Sequence, residues 1–248
     1  MRTSRFLDSI AHQHGARALQ GAIVFVMMQR PLDVLISKCL RLGPYHRGKP
    51  SPWSHCFLLA EPYHGPCTRI LESTVRDEEG RILWETSLAK TLEVVVKGTI
   101  GRGVGGIYEG TIGDYDDARV TACGIKWLPA AAHRDRARIV EQARELQREA
   151  PRYDLVGLLR SLVRLLTGVL LRPAAKRLFC SAFAQAAYSA AFSDNGAFQP
   201  GIPDHHTTPD DIWYSPKGSA VACSDIQTLS RVRSAQGAPA SSPFDTAA

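Results

Sequence analysis

The sequence predicts an α+β fold, and three observations carry that expectation. Apolar runs of strand length, rich in β-branched and aromatic residues, occur at Gly21–Met28, Trp53–Ala60 and Thr68–Thr74. Two of these runs, 53–60 and 68–74, are separated by little more than the turn Glu61-Pro-Tyr-His-Gly-Pro66, which reads as a hairpin with a loose loop. Helical periodicity is found elsewhere, at 31–42, at 133–149 and from Cys180 onward.

Residues 1–20 read as a short amphipathic helix or a loose arm, with Phe6, Ile10 and Leu19 as apolar anchors. Gly21-Ala-Ile-Val-Phe-Val-Met-Met28 is a continuous apolar strand. Residues 31–42 begin with proline, which suits a first helical turn, and Gly43-Pro44 stops them. In the strand 53–60, alternation sets His55, Phe57 and Leu59 on one face. In the strand 68–74, Ile70 and Glu72 share a face. Leu92–Lys97 reads as a further strand. Residues 98–117 are rich in Gly, Asp and Tyr and read as a lid-like surface loop. Gly101-x-Gly103-x-x-Gly106 matches a dinucleotide fingerprint by letters, but no strand–turn–helix unit surrounds it.

Gly124–Pro129 is a short strand closed by proline, and 133–149 is a helix with a solvated charged face. Asp154 can cap the segment after it. Leu155–Leu171 is almost wholly aliphatic, with Arg160, Arg164 and Thr167 as a polar stripe. Its length is marginal for a membrane span, and two arginines would be costly inside one. It reads either as an amphipathic helix on the core or as a helix lying on a membrane surface. Asp204–Pro216, with His205, His206, Asp210 and Asp211, reads as a solvated loop leading into a short capped helix, and no metal site is expected there. The domain proper is expected at 21–230, and 231–248 as a disordered Ala/Ser/Pro/Gly-rich tail.

The 248 residues carry a net charge of +6, with arginine spread along the chain. That pattern favours acidic substrates or an anionic membrane surface over nucleic acid. The six cysteines are scattered, without C-x-x-C spacing and far below the density of a disulfide scaffold. Reduced thiols in a cytoplasmic protein fit this best, with peripheral membrane contact through 155–171. No secretory h-region opens the chain, and no cofactor or metal is expected.

The chemistry centres on Arg177-Leu-Phe-Cys-Ser-Ala-Phe-Ala-Gln-Ala-Ala-Tyr188. Phe183, Ala184, Ala187 and Tyr188 give a packed face to a helix beginning near Cys180. A thiol on the first turn meets the positive end of the backbone dipoles, which favours thiolate. By itself Cys180 reads as a buried small hydrophobe. Two other residues change that reading. His55 lies inside an apolar strand, where an imidazole is either a hydrogen-bonded core group or a proton acceptor. Glu72 interrupts a neighbouring strand, where a carboxylate is poorly solvated without a partner. Nucleophile, base and orienting acid are the parts a cysteine hydrolase needs.

The order of these pieces resembles the circularly permuted papain-fold hydrolases, namely the YiiX-like branch of the NlpC-type superfamily, related to the lecithin:retinol acyltransferase group. The matching segments are Gly21-Ala-Ile-Val-Phe-Val, Trp53-Ser-His-Cys-Phe-Leu-Leu, Ile70-Leu-Glu-Ser, Arg152-Tyr-Asp, Phe179-Cys-Ser and Thr208-Pro-Asp-Asp-Ile-Trp-Tyr-Ser-Pro. The resemblance implies a small antiparallel sheet or barrel packed on helices, with Cys180 as nucleophile, His55 as base and Glu72 as orienter. Such proteins often carry an acid two residues after the cysteine, where this chain has Ala182. The expected activity is hydrolysis of an amide, peptide or isopeptide bond through a thioester acyl-enzyme. The alternatives are a lipid acyl hydrolase or acyltransferase at a membrane surface, and a non-catalytic ligand-binding module.

Overall fold

The computed structural model describes residues 2–46, 49–76, 105–128, 133–149, 152–153, 177–192, 198 and 202–224. The expected strand at 92–97, the aliphatic helix at 155–171 and the tail at 231–248 lie outside them, as do Asp154 and residues 98–104.

The elements in chain order are α1 (Thr3–His14), β1 (Ile23–Met28), α2 (Pro31–Leu40), β2 (His55–Leu59), β3 (Arg69–Val75), β4 (Gly105–Thr111), β5 (Val120–Trp127), α3 (His133–Glu149), β6 (Arg152–Tyr153), β7 (Arg177–Leu178), α4 (Cys180–Phe192), α5 (Pro209–Trp213) and β8 (Ser219–Ser224). Six strands form an antiparallel half-barrel sheet in the order β4-β3-β2-β1-β5-β8, with helices packed on it. The fold is therefore mixed α and β, as expected from the sequence. A separate parallel pair joins β6 to β7, immediately before α4.

Strand β1 pairs with β2 on one edge and β5 on the other, and its alternate residues are buried in apolar clusters on both faces. That double burial is why it reads as an unbroken apolar run. On one face Val24, Val26, Phe57, Leu59 and Ile70 pack beneath Phe6, Leu7 and Ile10 of α1. The N-terminal segment is thus a docked helix. On the other face Ile23, Phe25, Cys56, Leu58 and Leu71 meet Ile139, Val140 and Ala143 of α3 and Phe183, Ala184, Ala187 and Tyr188 of α4. Alanines at this contact let α4 approach the sheet closely. Its far end is tied down where the Tyr188 hydroxyl donates to the Gly21 carbonyl at 2.7 Å.

Two expectations need correction. Residues 105–111, within the stretch expected to be a loop, form β4, paired with β3 from Arg69↔Thr111 to Val75↔Gly105. Residues 112–115 follow as a 3₁₀ turn. The glycines here serve a close approach: a Cβ on Gly110 would stand 2.5 Å from Arg76 Nη2 and 2.7 Å from Asp114 Oδ2. The segment 204–216 is also not a solvated loop over most of its length, since residues 206–212 are buried. His206, Asp210 and Asp211 are buried. Asp210 accepts from Ser51 Oγ at 2.7 Å and pairs with His46 Nε2 at 2.8 Å. The short helix is capped, as expected, and the cap is a box between Thr208 and Asp211: Asp211 N–H donates to Thr208 Oγ1, and Thr208 N–H donates to Asp211 Oδ2.

The strand expected at 124–129 is longer than its apolar core and starts at Val120. At its centre Gly124 leaves room for two indoles. A Cβ there would lie 2.7 Å from Trp53 Cη2 and 2.9 Å from Trp213 Cη2. Gly124→Ala is expected to destabilise the fold by roughly 1–3 kcal/mol, the usual cost of overpacking, as measured by urea denaturation.

Candidate active site

Cys180 is the first residue of α4, with Phe183 N–H donating to the Phe179 carbonyl to close the first turn. The amides of a first helical turn have no partner within the helix, so the Cys180 sulfur sits where backbone N–H groups and the helix dipole favour negative charge. The start of α4 is held from two sides. Leu32, Ile36 and Leu40 of α2 pack with Val75 on Phe179 and Ala182. Ser181 Oγ donates to the Thr207 carbonyl at 2.7 Å. Ala182 is fully buried in the apolar cluster under α2. An acid at that position would be desolvated among apolar side chains.

His55 opens β2, and Glu72 lies in β3. The pairing Leu58↔Leu71 and Leu59↔Ile70, carried forward, sets Glu72 beside Phe57 and diagonal to His55. Diagonal neighbours on one face are within reach of a long side chain. His55 Nε2 and Glu72 Oε2 are 2.8 Å apart. This leaves Nδ1 as the ring nitrogen for the other contact that His55 makes, a hydrogen bond and charge interaction with Cys180. The three residues singled out in the sequence therefore meet, with the imidazole between sulfur and carboxylate. All three are buried.

Glu72 is fully buried and holds two further donors. Arg76 approaches Oε1 through Nε, at 3.2 Å, and through Nη2, while the Tyr115 hydroxyl donates to Oε2. Burial disfavours the charged carboxylate, but the His55 hydrogen bond, the Arg76 charge and the Tyr115 hydroxyl outweigh it and bring its pKa down to about 2. Arg76 is itself steadied by Asp114 Oδ2 at 2.9 Å. Tyr115 also lies against the imidazole, with ring centroids 5.9 Å apart and planes 16° from parallel. The ring of His55 is thus fixed by a hydrogen bond at its edge and a tyrosine on its face.

The charge state follows from these contacts. Burial opposes a charged imidazole, yet the negative sulfur of Cys180 and the carboxylate of Glu72 raise the His55 pKa to about 9. Cys180 moves the opposite way. A hydrogen bond from the Cys56 thiol, the His55 charge and the Cys56 backbone N–H hold it well below the usual thiol range, against the opposing effect of burial. The arrangement is a buried thiolate–imidazolium pair backed by an ionised carboxylate.

Arg76, Tyr115 and Cys56 escaped the sequence reading. Arg76 had a legible signal, since residues 72, 74 and 76 share one strand face and place a cation four residues from the acid. Tyr115 had none, because it lies in a Gly- and Asp-rich stretch far along the chain. Cys56 was visible only as the neighbour of His55. Among the described residues, no cluster of three or more His, Cys, Asp or Glu side chains is arranged to hold a metal ion. No helix among them is long and apolar enough to cross a membrane. A surface groove beside α3, lined by Glu109, Val140, Glu141 and Arg144 among others, includes none of Cys180, His55, Glu72, Arg76, Tyr115 and Cys56.

Comparison with protein-family models, with curated proteins and with solved structures finds no significant match for this chain.

Proposed function

We propose that this protein is a cysteine hydrolase acting on an amide, peptide or isopeptide bond, built as a circularly permuted papain-like fold of the NlpC type. The observation that carries this reading is a single imidazole that joins a helix-N-terminal cysteine to a buried carboxylate. A core histidine needs one partner for its hydrogen bond. An imidazole placed between a thiol and an acid has the parts of a nucleophile, a proton carrier and an orienting group.

In this mechanism the Cys180 thiolate attacks the carbonyl carbon and the oxygen takes up negative charge. First-turn amides of α4, beginning with the Cys180 N–H, receive that oxyanion. His55, already protonated, gives its proton to the leaving amine, and a thioester on Cys180 results. The neutral imidazole then takes a proton from water, which attacks the thioester and releases the acid. Glu72 keeps the ring oriented and steadies its charge, and Arg76 and Tyr115 hold Glu72 in turn.

The test uses an activated ester such as p-nitrophenyl acetate, followed by mass spectrometry of the quenched protein. An initial burst with an acetyl group on Cys180 is expected. Iodoacetamide provides the matching pH profile. Cys180 is expected to label readily at about pH 6 and to gain little up to about pH 8, because its thiolate is already formed. Free glutathione labelled alongside should instead gain about tenfold per pH unit over that range, as an ordinary thiol does. If Cys180 follows the glutathione profile and takes up no acetyl group, the hydrolase reading fails.

A further inference from the structure

The mechanism above leaves one nucleophilic group beside the reacting sulfur without a chemical step. Cys56 is fully buried on β2, one residue after His55. Alternation along the strand turns it to the opposite face from His55, the face on which α4 packs. Its backbone N–H and its thiol both lie within hydrogen-bonding reach of the Cys180 sulfur. Burial and the neighbouring negative sulfur keep the Cys56 thiol protonated, with its pKa pushed well up. Any small apolar residue would fill this space in the core. A thiol there places a second sulfur against the first.

We propose that Cys56 is the resolving thiol of Cys180, capturing an oxidised Cys180 as a reversible intramolecular disulfide. This rests on the reading of Cys180 as a thiolate nucleophile. The oxidant is a hydroperoxide. The Cys180 thiolate attacks the outer peroxide oxygen, the O–O bond breaks, and the sulfur is oxidised to a sulfenic acid. The alkoxide or hydroxide released takes the proton of the His55 imidazolium. The Cys56 sulfur then attacks the Cys180 sulfur, the S–O bond breaks, and the Cys56 proton leaves with the hydroxide as water. The disulfide blocks attack on substrate and spares Cys180 from irreversible oxidation to sulfinic acid. A dithiol restores both thiols by exchange.

The experiment treats the reduced full-length chain with a small excess of hydrogen peroxide and maps its peptides without reduction. A mass loss of about 2 Da and a linked Cys56–Cys180 peptide are expected, both reversed by dithiothreitol. Cys56→Ser should show no such loss and should instead gain about 32 Da on Cys180, resistant to dithiothreitol. If that variant does not fold, the wild-type map decides alone. Sulfinic acid on Cys180 in the wild type, or a link from Cys180 to any other cysteine, would overturn the proposal. Iodoacetamide labelling of a separate, unoxidised sample separates the two readings. Fast labelling of Cys180 without a linked peptide removes the resolving role and leaves the hydrolase. Slow labelling and no disulfide remove both.

Discussion

Cys180→Ala is expected to abolish the acyl-enzyme burst and to lower turnover by about 10⁴-fold or more, while costing only about 1 kcal/mol of stability. The two effects separate because the sulfur does chemical work but little packing. Cys180 lies at the end of a helix whose hold on the sheet comes from Phe183, Ala184, Ala187 and Tyr188. The start of α4 is tied by Phe179 and Ala182 against α2, and by Ser181 to Thr207. None of these contacts needs the thiol. One change inside the site should accompany the loss. Without the thiolate, the burial of His55 is opposed by Glu72 alone, so the imidazole pKa should fall from about 9. Proton NMR of the histidine resonances measures that shift, and urea denaturation measures the stability. A stable Cys180→Ala variant that keeps its activity would end the proposed mechanism.

Glu72 should behave in the opposite way, with stability and chemistry failing together. Glu72→Ala removes the shared acceptor of His55, Arg76 and Tyr115, and leaves a buried guanidinium facing an empty space. Breaking a buried charged network from one side costs about 3–5 kcal/mol, so this variant is expected to unfold at a much lower denaturant concentration. Glu72→Gln keeps the shape and one acceptor oxygen and should cost less, roughly 1–3 kcal/mol. It should also lower the His55 pKa, because the imidazolium loses a negative neighbour. The alkylation profile of Cys180 would then shift towards that of an ordinary thiol. A purely structural role for Glu72 would leave that profile in place.

The same carboxylate sets an acid limit. Its folded-state pKa, about 2, lies below the ordinary value of 4.5. A group depressed in this way stabilises the fold above its unfolded pKa, and that contribution is lost as the pH falls from about 5 towards 2. The shift corresponds to a contribution on the order of 3 kcal/mol. Wild-type protein should lose stability steeply across that window, and Glu72→Gln should show a flatter dependence there.

Periodicity was sufficient for the elements whose pattern is local. The run Ile-Val-Phe-Val-Met-Met of β1, the proline-started α2, the charged α3 and the alanine-rich α4 announce themselves through spacing alone. Gly105–Thr111 did not. Five of its residues before Thr111 are glycines or an isolated Ile and Tyr, and only the ladder with β3 makes it a strand. The buried acids Asp210 and Asp211 were misread for a related cause. Their partners His46, Ser51 and Tyr45 are more than 150 residues away in the chain.

Residue types and their settings along the chain determined which groups were worth watching here: a cysteine opening a helix, a histidine in an apolar strand and a carboxylate interrupting another. What tertiary structure alone decided was their meeting, and with it the charges they carry. The register between β2 and β3 brings Glu72 to His55, and the packing of α4 on β2 brings Cys180 to both His55 and Cys56. Each ionisation state depends on what lies within a few ångströms in space. Neighbours 17 to more than 100 residues apart in sequence leave no local pattern from which that could be read.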